Sequence, residues 1–183
     1  MGSQTSVLTE DHIRFIRDQR IFFVGTATEA GRINISPKGM DSLAVLANDR
    51  VAWLNVTGSG NETAAHVQVC PRMTIMFCAF AGKPLIMRLY GTAKAIHRAD
   101  PQWPNLISRF TPLPGARQIF DVTVDLVQTS CGMAVPLYDY AGERELLNEW
   151  AMAKGEDGIR QYWAKKNQTS LDGLPTNILE KSL

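Results

Sequence analysis

The sequence predicts a mainly β fold: a closed or nearly closed antiparallel barrel of six or seven strands, with peripheral and C-terminal helices. Three observations predict it. Apolar and polar residues alternate over short runs bounded by turn residues, as half-buried strands do. The runs come in adjacent pairs, as hairpins do. Regular strand–helix–strand alternation, which builds a parallel sheet, is missing, and this disfavours a Rossmann arrangement.

The elements follow in chain order. Thr9 caps a predicted helix over 10–18, with Ile13, Phe15 and Ile16 on its buried side. Residues 21–27 and 32–36 read as a hairpin turning at Glu29-Ala30-Gly31. In its second strand Ile33 and Ile35 face one way, and Asn34 and Ser36 face the other with Arg32, leaving a polar side for a site. Pro37-Lys38-Gly39 is expected to break that strand and hold Lys38 at its end. A second hairpin, 42–46 with 51–56, leads into Thr57-Gly58-Ser59-Gly60-Asn61 and a helix over 61–69 that stops before Pro71. Residues 72–80 form an apolar run expected to be buried on both faces, paired with a long strand over 85–96. That partner places Ile86, Arg88, Tyr90 and Thr92 on one face, where a rim position or a structural salt bridge accounts for Arg88 as well as a site does.

Asp100-Pro101 is the expected start of a helix over 101–110, and 117–127 returns as an alternating strand. Beyond Ser130-Cys131-Gly132, amphipathic helices are predicted over 143–154 and 157–166. Leu146, Leu147, Trp150 and Ala151 stripe the first, and Ile159, Tyr162 and Trp163 the second; Gly155 and Asn167 end them. The whole chain, 1–183, reads as one domain.

The chemistry concentrates at Gly58-Ser59-Gly60-Asn61-Glu62-Thr63. Glycines on either side of a serine let the backbone approach a ligand, and the helix that follows offers unpaired N–H groups and a positive dipole end to an anion such as phosphate. The same residues also read as a polar loop capped into a helix by Asn61. Both readings stand on these residues alone.

Composition limits the rest. The 183 residues are 45% hydrophobic and carry a net charge of +1 from 19 basic and 18 acidic residues without blocks, so nothing argues for nucleic acid. No window has the apolar length of a membrane span and no charged-then-apolar leader is seen, so a cytoplasmic protein is expected. The match of Met1-Gly2-Ser3 and Ser6 to a myristoylation pattern lacks a following basic cluster and is read as coincidence. Three cysteines without a C-x-x-C pair fit a reducing compartment, and three scattered histidines give no metal-binding spacing, so no metal is expected.

In combination the pieces resemble a known family. The order of helix, hairpin, Ile35-Ser36-Pro37-Lys38-Gly39, strand, and Gly58-Ser59-Gly60-Asn61 opening a helix that ends at Pro71, then long paired strands around Gly91-Thr92-Ala93, resembles the pyridoxamine 5′-phosphate oxidase-like flavin-binding split barrels. The resemblance covers roughly 8–127, leaving 128–183 as a C-terminal helical extension. It implies a homodimer with FMN in clefts at the subunit interface, used by an oxidoreductase on a small substrate. It also implies cofactor contacts from Ser36, Pro37, Lys38 and Gly39, and from Gly58, Ser59, Gly60, Asn61, Glu62 and Thr63. Arg88 is placed as a second cation, and Ser130, Cys131 and Gly132 as ring contacts from the partner; a small buried thiol at a strand exit is the other reading of Cys131.

Two departures bear on function. Many relatives have basic residues where this helix begins with Asn61-Glu62-Thr63, so holding a phosphate falls to backbone amides, Thr63 and cations from elsewhere. The arginine-x-histidine pair with which true pyridoxamine-phosphate oxidases grip substrate has no counterpart in the stretch after Gly173, which argues against that substrate. A non-catalytic flavin- or haem-binding barrel and a deazaflavin-dependent reductase remain alternatives on the same fold.

Overall fold

The computed structural model describes residues 2–182; Met1, where the myristoylation-like match begins, and Leu183 lie outside them. Eight strands form one antiparallel sheet: β1 (Ser3–Thr5), β2 (Phe22–Thr26), β3 (Asn34–Lys38), β4 (Leu43–Ala47), β5 (Arg50–Val56), β6 (Arg72–Cys78), β7 (Ile86–His97) and β8 (Ala116–Ser130). The order is β3-β2-β6-β7-β8-β5-β4, with the short β1, unforeseen in the sequence, laid on β8. The strands enclose one apolar interior, to which β2, β5, β6, β7 and β8 contribute Val24, Trp53, Ile75, Leu89 and Phe120. α1 (Glu10–Asp18) plugs it with Ile16, and Thr9 caps that helix in a reciprocal box with His12.

The route between β5 and β6 positions the site. These strands are separated in the sheet by β8 and β7, so the chain must cross an end of the barrel. α2 (Glu62–Val69) makes that crossing with Thr63, Ala64, Ala65, His66 and Val67 all buried, and Gly58-Ser59-Gly60-Asn61 is its point of departure. β7 and β8 change register at Gly91, where an added Cβ would lie 2.0 Å from the Thr123 carbonyl oxygen. Only glycine fits that bulge.

The structure corrects several expectations. β3 does not stop at Pro37: it runs to Lys38 with Pro37 opposite Phe23, because β3 is an edge strand on which a missing N–H breaks no ladder bond. β6 is not buried on both faces, since Met73, Ile75 and Phe77 point inward while Thr74 and Met76 face outward. α3 is short (Trp103–Ile107), because the Asp100 carboxylate accepts a hydrogen bond from the His97 N–H at 2.8 Å and closes the turn after β7 instead of capping a helix.

The two C-terminal helices join as α4 (Leu146–Lys166), broken at Gly155 (φ 64°) and ended by Asn167, and Leu146 opens it facing solvent. Ala151, Ile159 and Trp163 pack with α5 (Ile178–Lys181), a helix the sequence did not announce. No helix among the described residues is long and apolar enough to cross a membrane.

Gly91→Ala is expected to lower stability by about 1–3 kcal/mol, as overpacking against rigid backbone does. A urea midpoint equal to wild type would show that the bulge can slip to accept a Cβ.

Candidate functional site

A cavity of about 540 Å³ opens between β3, the start of α2 and the turn joining them to β5. β3 contributes its polar face, Asn34, Ser36 and Lys38, as its alternation required. Ser36, Pro37, Lys38 and Gly39 from the strand end, and Gly58, Ser59, Gly60, Asn61, Glu62 and Thr63 from the turn, all line this one space. The two stretches are brought face to face because α2 turns back over the barrel end beside the edge strand; the Asn34 amide donates to Thr63 Oγ1 at 3.2 Å across the junction.

The turn is not a loop capped by the Asn61 side chain. Asn61 occupies the N-cap position but makes no capping bond, and both polar atoms of its side chain are buried without partners, the residue being 2% exposed. Among the described residues no backbone hydrogen bond engages the N–H groups of Ser59, Gly60, Asn61, Glu62 or Thr63. Buried polar groups in folded chains are otherwise almost always satisfied. The carboxylate of Glu62 is fixed on the cavity wall: it accepts from the N–H of Leu171, another lining residue, at 3.0 and 3.2 Å, and lies beside Gly60.

Two cations face the cavity. Lys38 Nζ lies 4.9 Å from the centre of the Trp53 ring, and burial, reinforced by the neighbouring Arg117 charge, pulls its pKa down to about 8. Arg117, at the start of β8, is 4% exposed; burial lowers it to about 9, so it remains charged at neutral pH. Its guanidinium donates to Asn167 Oδ1 and to the Gly60 carbonyl, each at 2.8 Å, and among the described residues it meets no carboxylate within ion-pair distance. A buried cation without a counter-ion is costly. Arg117 was missed in the sequence, although an arginine–glutamine pair opening an otherwise apolar strand is the available signal.

Arg88, Ser130, Cys131 and Gly132 do not reach this cavity within one chain. Arg88 donates to Ser130 Oγ at 3.3 Å on the β7–β8 surface and takes part in no salt bridge among the described residues. Cys131 is exposed instead of buried, and Gly132 sits against the Leu85 backbone, which an added Cβ would approach to 2.8 Å. His66 is a core histidine beside Thr26 Oγ1 at 3.2 Å, and His97 is buried and held neutral, with a pKa near 4 through desolvation and then Lys181.

Fold and site together define an antiparallel barrel with a cavity, lined by two cations, at a strand-to-helix turn. A family model described as Pyridoxamine 5'-phosphate oxidase matches residues 8–131. A pyridoxamine 5′-phosphate oxidase family protein, ustO, of Aspergillus flavus is 38% identical over 177 residues, covering 86% of this chain and 70% of that one. Among solved structures, a protein of Lactobacillus delbrueckii described with the same oxidase name superposes with a TM-score of 0.54 at 19% identity, over 67% of this chain and 94% of its own. An FAD-binding protein of Mycobacterium smegmatis superposes with a TM-score of 0.50 at 12% identity, over 69% and 97%. The chain belongs to the pyridoxamine 5′-phosphate oxidase family.

The lowered pKa of Lys38 has a defined consequence for stability. The unfolded chain keeps this proton up to the ordinary 10.5, whereas the folded chain releases it near 8. Between those values the unfolded state binds more protons, so folding gains as the pH rises; below about 8 the buried charge is a constant cost. Lys38→Met is therefore expected to stabilise the ligand-free protein at pH 7, with the gain fading as the pH approaches 10.5. Urea midpoints of both proteins across that range test this; a gain independent of pH would show that the charge is not the cause.

Proposed function

We propose that this protein holds FMN in the cavity at the Gly58–Thr63 turn and is an oxidoreductase acting on a small organic substrate other than pyridoxamine phosphate. The observation that carries the reading is the pairing of two half-buried to buried cations, Lys38 and Arg117, with unpaired turn amides on one cavity. A phosphate supplies negative charge for the cations and acceptor oxygens for the turn amides. The residues present fit the group, and family membership supports the same choice.

The turn, Thr63 and Lys38 would hold the phosphate, while Asn34, Ser36 and Trp53 line the space left for the rest of the molecule. When bound, the flavin supplies the transfer of a hydride or an electron pair. The chain's own part is orientation and charge. Lys38, with its ammonium kept partly desolvated against Trp53, is a donor placed in a site of low dielectric, where its field acts strongly. Three free thiols suit a reducing cytoplasmic setting.

The same reading includes a homodimer. The outer face of β3 exposes Ile33 and Ile35, 73% and 70% accessible, beside a groove of about 520 Å³ lined also by Phe23, Met76 and Tyr90. An apolar sheet face next to the cavity-bearing strand is what a second copy of this chain would cover. The patch and the cavity share β3, on its opposite faces.

Two measurements test these statements. Purified protein offered FMN is expected to retain one flavin per chain and to bind FMN at least about tenfold more tightly than phosphate-free riboflavin, as charge-assisted bonds to phosphate require. Protein that takes up no flavin sinks the reading. Ile35→Lys is expected to convert a dimer into a monomer in light scattering; a wild-type monomer would refute the dimer.

A further inference from the structure

The C-terminal segment is not part of the matched family region, which ends at residue 131, yet it grips the turn of the site at successive positions. Asn167, the residue that ends α4, is fully buried. Its Nδ2 donates to the carbonyls of Gly58 at 3.1 Å and Ser59 at 3.5 Å, and its Oδ1 accepts from Arg117 at 2.8 Å. Arg117 in turn donates to the carbonyl of Gly60. One residue earlier in the turn, Thr57 Oγ1 accepts from Trp163 Nε1 at 2.8 Å. Asn167 is itself held, its backbone carbonyl accepting from Thr176 Oγ1 at 2.5 Å, and the Glu62 carboxylate accepts from the Leu171 N–H.

These bonds have a directional consequence. No peptide bond among the described residues is cis, and in a trans peptide the N–H points opposite to the C=O of the same plane. Carbonyls of Gly58, Ser59 and Gly60 turned toward Asn167 and Arg117 therefore turn the N–H groups of Ser59, Gly60 and Asn61 the other way, toward the cavity these residues line. A glycine-rich turn left to itself has no reason to hold three amides in that sense, since glycine populates many backbone conformations. A buried asparagine needs partners for its amide, but a purely structural one has no need to take consecutive carbonyls of the loop that carries the orphaned Asn61 side chain.

We infer that Asn167 is a positioning residue, and the C-terminal segment a clasp, that presets the Gly58–Asn61 amides to receive a phosphate monoester. The clasp stands in for the basic residues that this helix start lacks: Arg117 contributes charge from β8, and Asn167 aligns amides through their carbonyls. Preorganisation of this kind raises affinity by removing the cost of ordering the loop upon binding. The inference rests on the flavin-phosphate reading of the cavity.

The test compares wild type with Asn167→Ala in titrations with FMN and with riboflavin, together with amide hydrogen exchange of ligand-free protein. Asn167→Ala is expected to lose about tenfold in FMN affinity with little change for riboflavin, and to exchange faster at residues 58–63 while β6 and β7 are unaffected. A general loss of stability would weaken both ligands alike. If Asn167→Ala does not fold, Trp163→Phe, which keeps the ring and removes the N–H to Thr57, is expected to shift the FMN-to-riboflavin ratio in the same direction by about threefold. An unchanged ratio in a folded variant overturns the clasp and leaves the flavin site standing. Wild type that binds neither flavin overturns the flavin reading and the clasp with it.

Discussion

The organisation of the site depends on a buried guanidinium. Arg117 enters the protein at the first turn of β8, where the strand leaves Gly115 and pairs with β5, and its charge has no carboxylate partner among the described residues. Desolvating such a charge costs several kcal/mol in order of magnitude, and hydrogen bonds to neutral oxygens return only part of that. Its acceptors include the Gly60 carbonyl of the loop and Asn167 of the C-terminal segment, together with the Asn55 amide oxygen on β5. The cation thus adds to the contacts that join three parts of the chain: the last long strand, the crossover turn and the end of α4. After burial, it is the second cause that lowers the proton affinity of Lys38 across the cavity.

A second constraint is the division of labour along β3. As an edge strand it has only β2 as a neighbour, and its alternation gives Asn34, Ser36 and Lys38 to the cavity and Ile33 and Ile35 to the exterior. Pro37 fits because an edge tolerates the missing donor, and proline there discourages further strand pairing. One five-residue strand thereby carries the ligand face and the exposed apolar face on opposite sides. The outward Met76 of β6 and Tyr90 of β7 extend the apolar face across the sheet.

Glu62 shows how a tertiary contact fixes a side chain that the sequence leaves open. In the sequence its carboxylate stands at the helix start, where it opposes an anion. In the structure it accepts from the Leu171 N–H and lies beside Gly60 on the cavity wall, so its charge stays next to the N-terminus of α2 and the cations of the site have to outweigh it.

The sequence by itself determined the features that depend on local periodicity and turn chemistry. The hairpins, the polar face of β3, the Thr9 cap, the break at Gly155 and the Gly58-Ser59-Gly60 turn can be read from neighbours a few residues apart, and ten of the residues read as cofactor contacts line one cavity. Strand ends and short helices were less legible, because β3 tolerates Pro37 only as an edge and Asp100 closes a turn only where His97 presents its N–H. The missing Asn61 cap, the partner of Glu62 and the contacts of Arg117 and Asn167 were decided by tertiary structure alone. Those contacts join residues 57 positions apart for Arg117 and Gly60, and 109 apart for Asn167 and Gly58. No periodic pattern spans such distances; only the folding of α4 back onto the barrel end gives these side chains a common place.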